Sequence, residues 1–242
     1  PVLAKQITAQ NTAPAPVAVL LAQTTPPPPR PALWKVADAE AALPAAQALA
    51  RLEPQSADSQ SLLGNVYFSL QQWEPAAQAY EAALALMDDA NTRIDLGLIR
   101  IELGQIDAAI EQYRAALALE PDNARGLQNL GSAYTQQGKL AEAAGAYERS
   151  LAIEDNALAR GQLANIYLQQ GDIDKAIAQF EQAAVLDPAE TRYVVRLGGL
   201  YAGQGRLAEA EAAFRTALDQ DPENADAHAG LAGAAYRQCS IN

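Results

Sequence analysis

The sequence predicts an all-α fold assembled from one helical hairpin repeated along the chain, and three observations carry that expectation. A leucine followed by a small residue recurs at Leu63/Gly64, Leu96/Gly97, Leu130/Gly131, Leu163/Ala164, Leu197/Gly198 and Leu231/Ala232, at intervals of 33 or 34 residues. Seventeen residues after each of the first five leucines stands one aromatic: Tyr80, Tyr113, Tyr147, Phe180 and Phe214. Finally, half of the residues are apolar but only 6% are aromatic, so much of the apolar share is alanine, the residue with the highest helix propensity and the smallest obstacle to close helix packing.

The spacing within each period reads as two helices. In the first half, Tyr67, Tyr134, Tyr167 and Tyr201 follow their leucines by four residues, one turn along the same helical face. In the second half, an alanine precedes each aromatic by four (Ala76, Ala109, Ala143, Ala176, Ala210) and a small residue follows it by three (Ala83, Ala116, Ser150, Ala183, Ala217). A small residue facing a ring lets two antiparallel helices approach and fills the gap between them. Gly104, Gly138, Gly171 and Gly205 fall between the halves, where a helix end takes up a left-handed residue. Acid–proline steps at Glu53/Pro54, Glu120/Pro121, Asp187/Pro188 and Asp221/Pro222 stop the second helix and orient the next.

In chain order, the first element is an arm. Eight of the fourteen prolines lie within residues 1–31, including the run 26–29; proline fixes φ and removes a donor, so residues 1–33 form an extended, polyproline-like segment rather than helix or sheet. Residues 34–56 read as a partial leading unit, with Ala42, Ala46 and Leu49 turned to the first repeat. The repeats occupy 57–89, 90–123, 124–156, 157–190 and 191–224, and residues 225–242 are a trailing helix and C-terminal tail. The trailing helix carries Leu231, Ala232, Ala235 and Tyr236 with no polar layer after it, and an array of this kind needs polar ends.

These residues resemble the tetratricopeptide repeat, with its 34-residue period and L-G-x-x-Y, A-x-x-x-F and closing P positions; the match spans 57–238. The resemblance implies a right-handed α-solenoid of five tetratricopeptide-type helix-turn-helix repeats, with the Pro-rich N-terminal arm as an extension. Some positions depart from the pattern. The early tryptophan is replaced by Gln60, Arg93, Leu127, Arg160 and Val194. Asp88 and Asp155 stand where the first and third repeats would close on proline, and Arg100 stands where the second would carry tyrosine. Each departure is expected to soften its interface.

The resemblance further implies that the first helix of each repeat lines the concave surface. Partner-binding candidates there are Asn65, Phe68, Leu98, Arg125, Gln128, Ser132, Asn165, Arg192 and Arg196. This mixture of amides, aliphatics and arginines suits an extended or helical peptide, whose polar backbone needs partners while its apolar groups need pockets. The carboxylate-gripping positions of some relatives fall on Gln128, Ser132, Gln162, Arg192 and Arg196, of which only the last two keep the charge. Arg192 and Arg196 also have acidic neighbours that could use them as surface pairs. The polar residues of the second helices, Glu81, Glu111, Gln112, Glu148, Glu181 and Glu211, read as a solvated outer face.

Other function classes are argued against by the same text. A net charge of −12 opposes binding to nucleic acid or anionic lipid, and no apolar run reaches the roughly 20 residues that span a bilayer. His228 is the only histidine and Cys239 the only cysteine, so no ligand set for a metal, no activated nucleophile, no cofactor motif and no catalytic residue is expected. Cys239 reads as a terminal thiol or an intermolecular link. Residues 17–22, after Pro14 and Pro16, could be the end of an export signal, which makes a periplasmic or extracellular location one expectation and a cytoplasmic one the other. The functional expectation is a scaffold or assembly factor for a protein or peptide partner. The alternative is a structural subunit that self-associates end to end or by exchange of its arm.

Overall fold

The computed structural model of the chain describes residues 36–241, with side chains described through Gln238. The proline-rich arm over 1–33, the first two residues of the leading unit and the Cys239 thiol lie outside the described residues. The described residues contain twelve α-helices and no strand, and the chain divides into two compact units, Pro1–Pro121 and Asp122–Asn242.

In the first unit, α1 (Val36–Leu52) packs on α2 (Ala57–Ser69), which pairs with α3 (Trp73–Leu86); α3 packs in turn on α4 (Ala90–Glu102), which pairs with α5 (Ile106–Leu119). The second unit contains three further hairpins. They are α6 (Ala124–Gln136) with α7 (Leu140–Ile153), α8 (Ala157–Gln170) with α9 (Ile173–Leu186), and α10 (Thr191–Gly203) with α11 (Leu207–Gln220). The closing helix α12 (Ala225–Ile241) packs on α10 and α11. Each unit is thus a run of hairpins added one after the next, as expected of an all-α solenoid.

The repeated residues pack as their spacing predicts. Ala76, Ala109, Ala143, Ala176 and Ala210 are all fully buried, and each period's aromatic, from Tyr80 to Phe214, is at most 4% exposed. The glycine of the Leu–Gly pair lies under the ring of its own hairpin. A Cβ built on Gly64 would stand 2.7 Å from the Tyr80 ring, and one on Gly198 the same distance from Phe214; contact that close leaves no room for a methyl. The leading helix buries Ala39, Ala42, Ala46 and Ala50, so Ala50 takes the inward place expected of Leu49, which is half-buried.

Helix ends follow local chemistry. The first helices start on side-chain caps: Ser56, Asp89, Asn123, Asn156 and Glu190 each accept a bond from a backbone N–H two or three residues on, which satisfies a donor the helix leaves open. The turns inside four hairpins hold Gly104, Gly138, Gly171 and Gly205 at φ of 72–82°. In the first hairpin Gln71 occupies that place at φ 56°, a conformation that costs an L residue about 1–2 kcal/mol.

Two expectations are refined here. The departures from the repeat pattern are not all isolated, and four of them bond one another in pairs. Asp88, which replaces a closing proline, accepts from Arg93 at 2.5 and 3.0 Å, and Arg93 replaces the next helix's tryptophan. Asp155 and Arg160 repeat the arrangement at 2.5 and 2.8 Å. The same arginines reach across their own hairpins to Gln112 and Gln179. Asp88 and Asp155 have carboxyl pKa values below the ordinary range, chiefly through these hydrogen bonds.

Nor are the second-helix polar residues only a solvated face. Glu148 accepts from the Tyr167 hydroxyl at 2.5 Å and Glu181 from Tyr201 at 2.6 Å, which ties each hairpin to the one after it. Arg100, standing where tyrosine is expected, makes the corresponding link to Glu81 as an ion pair, and Gln47 of α1 donates to Tyr67 at 3.0 Å. Periodicity identified these positions, but the partner lies 19 or 20 residues away and can be found only once the hairpins stack.

Candidate functional site: a polar groove in the second unit

Three first helices of the second unit converge on one concavity of about 480 Å³. From α6 it is lined by Ser132, Thr135 and Gln136, and from α8 by Gln162, Asn165, Ile166, Leu168 and Gln169; α10 contributes Arg196 and the Tyr147 ring lies behind. A second concavity of about 780 Å³ shares Leu168 and Arg196 with it and extends over Arg192, Val195 and Gly199 toward Asp226 and Gly230 of α12. The first helices line both because the second helices carry the repeat aromatics, and those rings are buried inside the hairpins.

Charge is distributed unevenly over the groove. The first concavity has no acidic residue in its lining and one cation, Arg196. Arg196 is exposed and makes no ion pair or hydrogen bond among the described residues. Arg192, four residues earlier, is already engaged: it pairs with Glu190 at 2.8 Å and lies 5.5 Å from the centre of the Tyr193 ring. Burial pushes the Tyr193 hydroxyl pKa upward, so that ring is neutral at ordinary pH. Of the two arginines expected to form surface pairs, Arg192 does so, and Arg196 has no partner among the described residues.

The remaining predicted residues have divided roles. Asn165, Ser132 and Arg196 meet in the first concavity, and Arg192 and Arg196 in the second. Ser132 also shares a hydrogen bond with the Tyr147 hydroxyl, whose pKa burial raises. Gln128 is committed to packing: it donates to Ser150 Oγ at 3.1 Å, and that fully buried hydroxyl donates to the Ala124 carbonyl. Arg125 is half-buried and partnered. In the first unit, Asn65 accepts from Tyr80 at 2.5 Å, Phe68 packs edge-on against Trp73 at 5.5 Å, and Leu98 is half-buried on α4. Gln136 and Gln169 are among the lining residues that the sequence reading did not single out. Each lies four residues after a predicted one, Ser132 and Asn165, and that helical spacing was the available signal.

Among the described residues, no helix is long and apolar enough to cross a membrane and no group of three or more His, Cys, Asp or Glu side chains could hold a metal ion. The groove can offer hydrogen bonds from amides and hydroxyls, one open positive charge and aliphatic contacts.

No curated protein matches the chain. Among solved structures, MamA is 27% identical over 67% of this chain and 96% of its own, with a TM-score of 0.63. YrrB, described as a TPR protein with an unusual peptide-binding site, is 22% identical over 76% of this chain and 97% of its own, with a TM-score of 0.64. PilF of Pseudomonas aeruginosa is 19% identical over 76% of this chain and 91% of its own, at 0.62. The likeness to the last two is one of fold. Models of the tetratricopeptide repeat match residues 31–91, 162–225 and 196–238, with further repeat models over 97–138 and 124–157. The chain belongs to the tetratricopeptide repeat family.

Proposed function

We propose that the chain is a non-enzymatic scaffold or assembly factor that holds a peptide or helix of another protein along the first helices of its second unit. The family is one of protein-interaction scaffolds, which supports the coarse reading. The observation that supports the finer one is the convergence of α6, α8 and α10 on a groove lined by amides, hydroxyls and one unpaired guanidinium. An extended chain brings a backbone donor and acceptor at every residue, and such a lining can satisfy them as water leaves. Ile166 and Leu168 add apolar contact.

The test uses twelve-residue peptides selected from a random display library on the full chain, with affinity read by fluorescence anisotropy. Arg196→Glu reverses an exposed charge that has no partner among the described residues, so the fold should be unaffected while affinity drops about tenfold or more. Selected peptides that bind this variant as tightly as the wild type would remove the groove as the site.

One observation favours self-association as a second reading: Tyr236 on the closing helix is 77% exposed. Light scattering over a concentration series decides this. A mass that rises with concentration and falls back in Tyr236→Asp supports end-to-end association, and a constant monomer mass rejects it.

A further inference from the structure

The hairpins differ in one atom whose consequences reach the groove. In the first hairpin, Asn65 follows the Leu–Gly pair and its Oδ1 accepts from the Tyr80 hydroxyl at 2.5 Å. In the third, Ser132 holds the same place and shares a hydrogen bond with Tyr147. In the fourth, Asn165 holds it, but the facing ring is Phe180, which is 1% exposed and has no hydroxyl. Asn165 makes no side-chain hydrogen bond among the described residues and lies half-buried in the lining of the first concavity.

A side-chain amide has an acceptor oxygen and a donor nitrogen side by side. Together they match the N–H and C=O that one residue of an extended peptide presents on the same edge. Asn65 has one lone pair of its oxygen taken and its amide held toward Tyr80, whereas Asn165 keeps its full bonding capacity and can turn to a ligand.

We propose that the ring facing the Leu–small pair sets which hairpin grips a ligand, and that Phe180, by withholding a hydroxyl, leaves Asn165 as the residue that holds the backbone of a bound extended peptide through paired hydrogen bonds. This rests on the groove being a peptide site. Phe180 touches no ligand. It acts through Asn165 and is a positioning residue, while Asn165 is the binding residue.

The probe is again the set of library-selected peptides, tested on the full chain. Phe180→Tyr adds the hydroxyl that Tyr80 and Tyr147 already carry. It should move the Asn165 side-chain amide resonance and weaken the selected peptides about tenfold, the value of one exchanged hydrogen bond. Asn165→Ala should weaken them at least as much, and it carries the test should Phe180→Tyr lose its fold by circular dichroism. Asn65→Ala should leave affinity unchanged. Peptides weakened by Arg196→Glu yet indifferent to both Phe180→Tyr and Asn165→Ala would overturn this inference and leave the groove standing. A selection that yields no peptide sensitive to Arg196→Glu would overturn the groove reading and this inference with it.

Discussion

The first and fourth hairpins are built from almost the same text, and their differences separate packing from binding. Leu63-Gly64-Asn65 faces Tyr80 in one, and Leu163-Ala164-Asn165 faces Phe180 in the other. In the first, the ring packs against a glycine and its hydroxyl donates to the asparagine. In the fourth, a methyl is accommodated, with Ala164 fully buried, and the asparagine has no side-chain bond among the described residues. The turns differ too, with Gln71 at φ 56° in one and Gly171 at 82° in the other. Even the link to the following helix changes, from the Glu81–Arg100 ion pair to a hydroxyl bond between Tyr201 and Glu181. One hairpin directs its polar groups inward to itself, while the other leaves them to the groove.

The largest effect that would test this contrast is removal of the rings. Tyr80→Ala and Phe180→Ala should each cost about 3–5 kcal/mol in chemical denaturation, because a fully buried ring leaves a hole its neighbours cannot fill. The conservative exchanges separate the two sites. Tyr80→Phe should cost about 1 kcal/mol for the orphaned Asn65, and Phe180→Tyr should cost little. Equal costs for the two exchanges would mean that the Tyr80–Asn65 bond does not distinguish the hairpins.

Next in size are the small residues under the rings. Gly64→Ala would place a methyl 2.7 Å from the Tyr80 ring; the crowding outweighs the gain in helix propensity, for a net cost of about 1–2 kcal/mol. Ala164→Gly opens no clash and should cost about 1 kcal/mol through propensity alone. Thermal melts of the two variants, with crystal structures to show whether the Tyr80 ring has shifted, check both. At the turns, Gln71→Gly should stabilise by about 1 kcal/mol, whereas Gly171→Gln should destabilise by a similar amount. A melting point unchanged by Gln71→Gly would contradict the positive φ.

The smallest difference is in the links between hairpins, and it can be read by salt and pH. The Glu81 carboxylate is 49% exposed and its Arg100 partner 24%, so Arg100→Leu should cost under about 1 kcal/mol, a loss that disappears in high salt. The Tyr201 hydroxyl has its pKa pushed up to about 12, first by burial and then by its bond to Glu181. Folding therefore favours the neutral phenol; the resulting stability is complete below about pH 10, the unfolded value, and is lost as pH rises toward 12. Tyr201→Phe should flatten that part of the alkaline unfolding curve, and Arg100→Leu should leave it unchanged. Burial of Tyr167, assisted by Glu148, raises its pKa to about 12 as well, so the double variant should flatten the curve further.

Most of the fold was legible because the 33–34-residue spacing states which residue meets which within a hairpin. The leucine, the small residue and the ring are close in sequence, and helical geometry brings them together with no further information. The groove was legible only in part. Asn165, Ser132 and Arg196 lie in the lining of the groove, but Gln128 and Asn65, named on the same ground, have side chains taken up by Ser150 and Tyr80. Repeat position says where a side chain starts, and the identity of a residue 15 or 22 positions away decides whether it is still available.

The sequence by itself determined the helical repeat, the rings at its centre and the acidic net charge, since each depends on local periodicity or on composition. Only the tertiary structure decided that Asp88 answers Arg93, that Arg100 stands in for a tyrosine, and that Asn165 and Arg196 have no side-chain bond among the described residues while Asn65 and Arg192 do. Those outcomes turn on hydrogen bonds a few ångströms long between side chains brought together by stacking, and a single hydroxyl, present on Tyr80 and absent from Phe180, is enough to change them.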